Sequence, residues 1–459
     1  MTDLPRRSFR LVCAPEQTPL VEALLAAEGF AFEPEPFSPL ARRLVAEPFP
    51  LGRSQAAFWG LVYIQDRSSM LPPLALAPAP GEAVLDMCAS PGSKTGLLAQ
   101  LVGGAGLVLG NEPGRPRLAT LRANLLALNL IQAVTCSWPG EQIPLADGSW
   151  RHILLDPPCS GWGTTDRHPG ITELWRGDKI APLITLQRRL LSEAARLLAP
   201  GGRLVYSTCT TNVEENEEQV RFAADHLGLA PEPLPAFPGF VFAPPLLPGC
   251  EGCLRVDGEA SAAQGFFVAC FRKPGTDGTS ETGATAARPG EYPSGQPEER
   301  QGERPAAHAP CEPIPSGLLA DFGLDPALLP PGRIARFGDS VHFLPARAVE
   351  LLPAALRWQG AAIGKAAGRG CIPSPRLRFL ARDPLPSTVR LDVEDIRDLK
   401  ALTQGQSLQG AIRPPDAEAT PARRKQGAGG SAKEAALFWR GLPLGRLRLK
   451  NGRAVWSER

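Results

Sequence analysis

Ile153-Leu154-Leu155-Asp156-Pro157-Pro158-Cys159-Ser160-Gly161 is the stretch whose reading decides the fold. Three apolar residues read as a buried strand with an acid at its carboxyl end. Two prolines then stop the ladder and fix the backbone, and a thiol follows at once. In open α/β sheets ligands bind beyond the carboxyl ends of the strands, so Asp156 and Cys159 belong where chemistry takes place. Fifty residues on, Leu204-Val205-Tyr206-Ser207-Thr208-Cys209-Thr210-Thr211 repeats the plan, an apolar strand and then a thiol.

Outward from this pair the punctuation is regular. Strands are expected at Ala83–Met87, Leu107–Gly110, Ala133–Ser137, His152–Asp156, Arg203–Ser207 and Gly265–Phe271. Between them, helical spacing covers Thr95–Leu101, Arg115–Leu128, Pro182–Leu198 and Asn216–Leu227. Alternation at this spacing predicts a doubly wound, Rossmann-like parallel sheet. Ahead of it, residues 8–34 read strand, helix, strand, a small α/β piece too short to stand alone. Gly60–Leu71 carries Gln65, Asp66 and paired serines, which suit either a pocket wall or a capped helix entry. Composition shifts at Lys273: Pro274–Pro310 is rich in Gly, Pro, Thr, Ser, Glu and Arg, the composition of a disordered linker. Beyond it a mostly-β second domain is expected, with a basic loop at Thr420–Lys433. The expected division is 1–50, 51–273, 274–312 and 313–459.

At 459 residues the chain has room for two or three domains. No run of about 18 apolar residues suggests a membrane span, and the start lacks a signal peptide's apolar segment. Ten cysteines without a small-domain spacing fit a reducing cytoplasm better than a disulfide framework. The net charge of +2 hides an asymmetry: Pro315–Arg459 holds 23 Lys and Arg against 13 Asp and Glu. A basic C-terminal third points to a polyanionic partner, since phosphate contacts supply most non-specific nucleic-acid affinity.

The turn Cys88-Ala89-Ser90-Pro91-Gly92-Ser93-Lys94 joins a strand to a helix, and its N–H groups suit a carboxylate or phosphate. Glu112, an acid ending the second strand, stands where ribose hydroxyls are gripped. With no Walker sequence and no proper G-x-G-x-x-G, a methyl-donor nucleotide is favoured over ATP or NAD. A thiolate at a strand end can add to an electrophilic ring carbon such as pyrimidine C6, which makes C5 nucleophilic toward a sulfonium methyl. Asp156 would support the addition through a ring nitrogen, and a second thiol would assist loss of the C5 proton. Spacing alone does not order the two thiols.

DMCASPGSKT (86–95), DPPCSGWGT (156–164) and YSTCTTNVEENE (206–217), with YIQDRSS (63–69) ahead of them, together resemble the Sun-type family of S-adenosylmethionine-dependent RNA cytosine-C5 methyltransferases. The resemblance spans about Leu51 to Arg272. It implies a class I methyltransferase fold in which Cys88–Lys94, Glu112 and Asp156 contact the donor or the target base. It makes Cys209 the nucleophile and Cys159 the residue that helps release product, with Lys94 beside the base and Asp156. The first 34 residues look like a shortened N-terminal RNA-binding subdomain. Arg440–Arg453 resembles the end of the bacterial ribosomal RNA subfamily, whose PUA-like RNA-binding domain follows the catalytic one. A monomer acting in the cytoplasm on 16S rRNA is therefore expected. A tRNA substrate and a non-catalytic RNA-binding assembly factor are the alternatives. Two departures stand out: Trp138 occupies the stretch where the family places an aspartate for the adenine, and Ser93 replaces a common glycine.

Lesser candidates have plainer readings. Cys250-Glu-Gly-Cys253 is a lone C-x-x-C without a partner pair, so no metal site is expected. His168 suits a local loop contact better than RNA, and Trp162 and Trp175 suit core packing as well as base stacking.

Overall fold

The computed structural model describes residues 7–165, 177–275, 329–367, 370–378, 389–408, 434–450 and 453–456, with 170, 173, 175 and 312–313. His168, the basic loop Thr420–Lys433 and residues 276–311 of the expected linker lie outside the described residues.

The N-terminal strand, helix and strand are present as β1 (Ser8–Leu11), α1 (Thr18–Ala27) and β2 (Ala31–Pro34). They are completed by β3 (Ala41–Ala46), α2 (Gln55–Phe58) and β4 (Val62–Ile64), giving an antiparallel sheet in the order β2-β3-β1-β4. Ser54 caps α2 by accepting the Ala57 N–H at 3.1 Å. Asp66 accepts from the backbone N–H and the hydroxyl of Ser68 at 3.0 and 2.7 Å. That is the capped entry of the two readings, and it leads into α3 (Leu71–Leu76).

The central sheet follows. Its elements are β5 (Ala83–Asp86), α4 (Ser93–Val102), β6 (Leu107–Asn111), α5 (Arg115–Ala127), β7 (Ala133–Cys136), β8 (Trp150–Leu155), α6 (Ala181–Leu197), β9 (Leu198–Thr208) and α7 (Glu217–Leu227). Short strands β10 (Ala230–Glu232), β11 (Phe242–Ala243) and β12 (Leu254–Val256) precede β13 (Phe266–Arg272). The order is β11-β12-β13-β9-β8-β5-β6-β7, with β10 beside β13. Strands β7, β6, β5, β8 and β9 run parallel, and β13 adds antiparallel to β9. Consecutive residues of each parallel strand bury on opposite faces. Leu85, Ile153, Leu155 and Tyr206 pack on α6 and α7, while Val84, Leu154 and Val205 pack on α3, α4 and α5. Strand order reverses between β5 and β8, so a crevice opens at their carboxyl ends.

The C-terminal region is mostly β. One antiparallel sheet holds β14 (Glu312–Pro313), β15 (Gly332–Phe337), β16 (Ser340–Pro345), β17 (Ala361–Ala367) and β18 (Gly370–Pro373), with α8 (Ala346–Leu351) after β16. A second holds β19 (Val389–Val393), β20 (Glu434–Trp439), β21 (Leu442–Lys450) and β22 (Arg453–Val455), with α9 (Ile396–Thr403) after β19. Apolar residues of this second sheet and of the N-terminal layer form one continuous core, from Phe9, Leu11 and Leu24 to Leu437, Trp439 and Leu444. Trp59 meets Trp456 edge-on at 4.7 Å between ring centroids. The first C-terminal sheet reaches the other flank, where Gln359 pairs antiparallel with Thr135 on the free edge of β7.

Candidate active site

The carboxyl ends of β5, β6, β8 and β9 bring Asp86, Glu112, Asp156 and Cys209 to one rim of the sheet. Asp156 follows β8 directly because Pro157 and Pro158 can donate nothing to the ladder. Its Oδ2 lies 2.8 Å from Lys94 Nζ, and its Oδ1 accepts the Ser207 hydroxyl at 2.7 Å. Lys94 stands in the first turn of α4 with an 11 % exposed side chain, its ammonium 5.2 Å from the centre of the Phe266 ring. Burial works against its charge, but Asp156 outweighs it and raises the lysine above its usual value.

Cys159 and Cys209 come together: their sulfurs are 3.3 Å apart, and both are free thiols. The main chain shapes this approach. Gly163 donates its N–H to Cys209 O at 3.0 Å and accepts from Gly265 N at 3.0 Å. A Cβ on Gly163 would fall 2.1 Å from Gly265 O, so no larger residue fits. The environments of the two sulfurs then diverge. Cys209 is held below the usual thiol range, first by the Cys159 hydrogen bond and also by the Lys94 ammonium, against burial and Asp156. Cys159 is pushed well up by that same hydrogen bond, by burial, and by the charges of Cys209, Asp156 and Glu215. One thiol is poised to be a thiolate and its neighbour to keep or recover a proton.

The Cys88–Lys94 turn has the shape for a nucleotide. Gly92 takes φ +104°, left-handed backbone that only glycine adopts without strain, and Ser93 after it is the first residue of α4. Ser93 is not among the residues with positive φ, so a side chain is tolerated there. Asp86 Oδ2 accepts the Thr95 hydroxyl at 2.7 Å, while Oδ1 is buried with no hydrogen-bond partner. Burial above all raises this carboxyl from 3.8 to about 6. An orphaned buried acceptor beside the free N–H groups of a helix start fits a polar ligand. Glu112 is buried at the next strand end and bonds Gly114 N at 2.8 Å and Arg117 Nε at 3.0 Å, so a diol would compete with an exposed arginine for it. Asp86 was missing from the expected set, although the rule that picked out Glu112 applies equally to an acid ending the first strand.

Trp138 turns away from the crevice. Its indole N–H donates to Leu356 O at 2.7 Å, and its main chain is stapled by Asn111, whose Oδ1 accepts Trp138 N and whose Nδ2 donates to Trp138 O, both at 3.0 Å. The position expected to carry an acid thus fastens the C-terminal region to the sheet. Cys250 is buried and its thiol donates to Glu217 O at 3.7 Å. Trp162 and Trp175 are half-buried.

Known proteins resemble the chain over this same region. A family model described as 16S rRNA methyltransferase RsmB/F matches residues 73–272. The ribosomal RNA small subunit methyltransferase F of Salmonella heidelberg (strain SL476) is 36% identical over 274 residues, covering 58% of this chain and 57% of that protein. The chain therefore spans little more than half the length of that relative. A methyltransferase homolog protein from Pyrococcus horikoshii is 34% identical with a TM-score of 0.51, covering 59% of this chain and 87% of that one. NSun6 from the same organism shares the fold at 22% identity, with a TM-score of 0.51 over 58% of this chain and 90% of its own.

Proposed function

We propose that this chain, whose residues 73–272 match a family model described as 16S rRNA methyltransferase RsmB/F and which is 34% identical to a methyltransferase homolog protein over 87% of that protein, methylates C5 of a cytosine in RNA, small-subunit ribosomal RNA first, with S-adenosylmethionine as donor. One observation carries the cytosine-C5 reading: two thiols 3.3 Å apart on adjacent strand ends, one facing a cation and the other facing acids. A single acid–base group would serve a nitrogen or oxygen methylation; a thiolate–thiol pair suits addition to a ring carbon followed by elimination.

In this reading Cys209 adds as thiolate to C6, forming the S–C6 bond. Asp156 and Lys94 hold the ring nitrogen edge and stabilise the charge that arrives there. The Cys88–Lys94 turn, Asp86 and Glu112 would hold the donor, which when bound would supply a sulfonium methyl group for C5. Cys159, its own proton having first passed to solvent, then takes the C5 proton as thiolate, C5=C6 reforms, the C6–S bond breaks and Cys209 leaves as thiolate. The target base must leave its stack to reach two thiols set behind a strand end. The positive excess beyond Pro315 supports RNA binding by the C-terminal region, through phosphate contacts.

Incubating the intact protein with labelled S-adenosylmethionine and total RNA tests the proposal. Label in 5-methylcytosine, lost by at least about 10²-fold in Cys209→Ala, is the expected outcome for removal of a nucleophile. No transfer by the intact protein, or full transfer by Cys209→Ala, contradicts it.

A further inference from the structure

One fully buried carboxylate sits behind the two thiols with no part in the chemistry just described. Glu215 Oε1 accepts the Ser160 N–H and the Gln187 side-chain amide, each at 2.9 Å. Its Oε2 accepts the Ser160 hydroxyl, and Asn212 Nδ2 at 3.4 Å. The Ser160 hydroxyl also lies 2.7 Å from Thr210 Oγ1, and the Gln187 amide reaches Pro158 O at 2.9 Å. One carboxylate thereby ties the residue after Cys159 to the residue after Cys209, and among the described residues no lysine or arginine pairs with it.

Glu215 is itself fixed from behind. Its carbonyl accepts the Tyr206 hydroxyl at 2.7 Å, and neighbouring Asn216 bonds Thr208 Oγ1 at 2.5 Å and Thr210 O at 3.0 Å. Burying an anion without a counter-ion is costly, and charge-assisted hydrogen bonds are the strong, directional kind that offset it. The two cysteines depend on this clamp unequally. Cys209 directly follows β9, which is laddered to β13 as far as Thr208, and its carbonyl is bonded by Gly163. Cys159 lies past two prolines in a segment outside any strand, and the hydrogen bonds around it converge on Glu215 and Gln187.

We propose that Glu215 is a positioning residue for product release: its grip on Ser160 holds the Cys159 sulfur beside Cys209, where the C5 proton of the adduct arrives. The proposal rests on the cytosine-C5 reading above and adds the element that separates release from attack. In the step concerned Cys159 is a thiolate, its own proton having first passed to solvent; the C5–H bond breaks and its proton goes to that sulfur. The C–H electron pair forms C5=C6, and the C6–S pair leaves with Cys209. Glu215 neither gains nor loses a proton.

The test compares the intact protein with its Cys159→Ala, Glu215→Gln and Ser160→Ala variants in single-turnover reactions, using a small-subunit ribosomal RNA transcript and labelled donor. Denaturing gels read the covalent protein–RNA species, and hydrolysed RNA reads free product. In Glu215→Gln, release should slow by about tenfold or more beyond whatever adduct formation loses with the Cys159 hydrogen bond to Cys209, a share of the roughly 10²–10⁴-fold that a positioned acid–base group contributes. Ser160→Ala, which keeps the backbone N–H contact, should show the same split more weakly and serves alone where Glu215→Gln does not fold. Parallel loss of formation and release in either variant, or release at the unaltered rate in both, overturns the proposal. Absence of adduct in Cys159→Ala overturns the release reading itself and is told apart by that variant alone.

Discussion

Lys94 bonds to Asp156 and lends its charge to Cys209, so a single side chain links the carboxylate proposed to recognise the base to the state of a sulfur. Removing the ammonium takes away an influence that lowers Cys209 and leaves burial and Asp156 pushing it up. The sign follows: a lowered thiol is ionised at lower pH, so losing the cation moves the acid limb of adduct formation to higher pH. Lys94→Met should show that upward movement in a pH profile of adduct formation; an unmoved limb would separate Lys94 from the nucleophile. The candidate residues that the structure gathers at the sheet rim are legible in the sequence, because a thiol or acid after an apolar strand is a local signal. Glu215 and Gln187 are not. Glu215 stood inside a quoted motif as one acid among several, and its partners are 28 and 55 positions away. The one available sign was Gln187, a polar residue on the buried stripe of α6 with Leu190, Leu191 and Ala194.

Strands and helices of the central sheet fall within a few residues of their expected limits, since punctuation and apolar runs are properties of neighbours in the chain. The exception is β9, which begins at Leu198 rather than Arg203. Pro200-Gly201-Gly202 is a sequence that ordinarily breaks an element, but Gly201 takes φ +71° and donates to Lys273 O at 2.9 Å, so the chain bends and stays paired. The short strands β4 and β10–β12 carry too few residues for a period to register, and β3, Ala-Arg-Arg-Leu-Val-Ala, does not alternate apolar with polar residues. At this scale the donor turn makes a prediction. Gly92→Ala places a Cβ at φ +104° and 3.0 Å from Leu121 Cδ1, where the left-handed backbone alone costs about 1–2 kcal/mol. Thermal melts should show the loss of stability, and calorimetry a weaker affinity for S-adenosylmethionine. A variant that binds and melts as the intact protein does would remove the turn from the donor site.

Across the whole molecule, the two ends of the chain complete each other. The N-terminal layer, too short to stand alone by its sequence, buries its apolar side against the last sheet, and Lys400 reaches the buried Glu28 at 3.2 Å. Arg376 bonds Phe58 O at 2.6 Å, and Arg378 bonds both Val12 O and Leu128 O, joining the three parts at one corner. No local pattern announces contacts between residues 250 or more positions apart. Ending the chain at Lys273 would strip the buried Trp59 of its contact with Trp456 and open the shared core from one side. Such a truncated protein should bind a hydrophobic dye and lose cooperative melting of the N-terminal layer; a soluble, cooperatively folded fragment would deny the shared core. The most direct measurement on the whole protein is to trap the intermediate. Cys159→Ala, reacted with RNA and S-adenosylmethionine and then denatured and digested, should carry a methylated cytosine on the peptide containing Cys209. A nucleotide attached to any other residue, or no attached nucleotide at all, would contradict the assignment of the attacking sulfur.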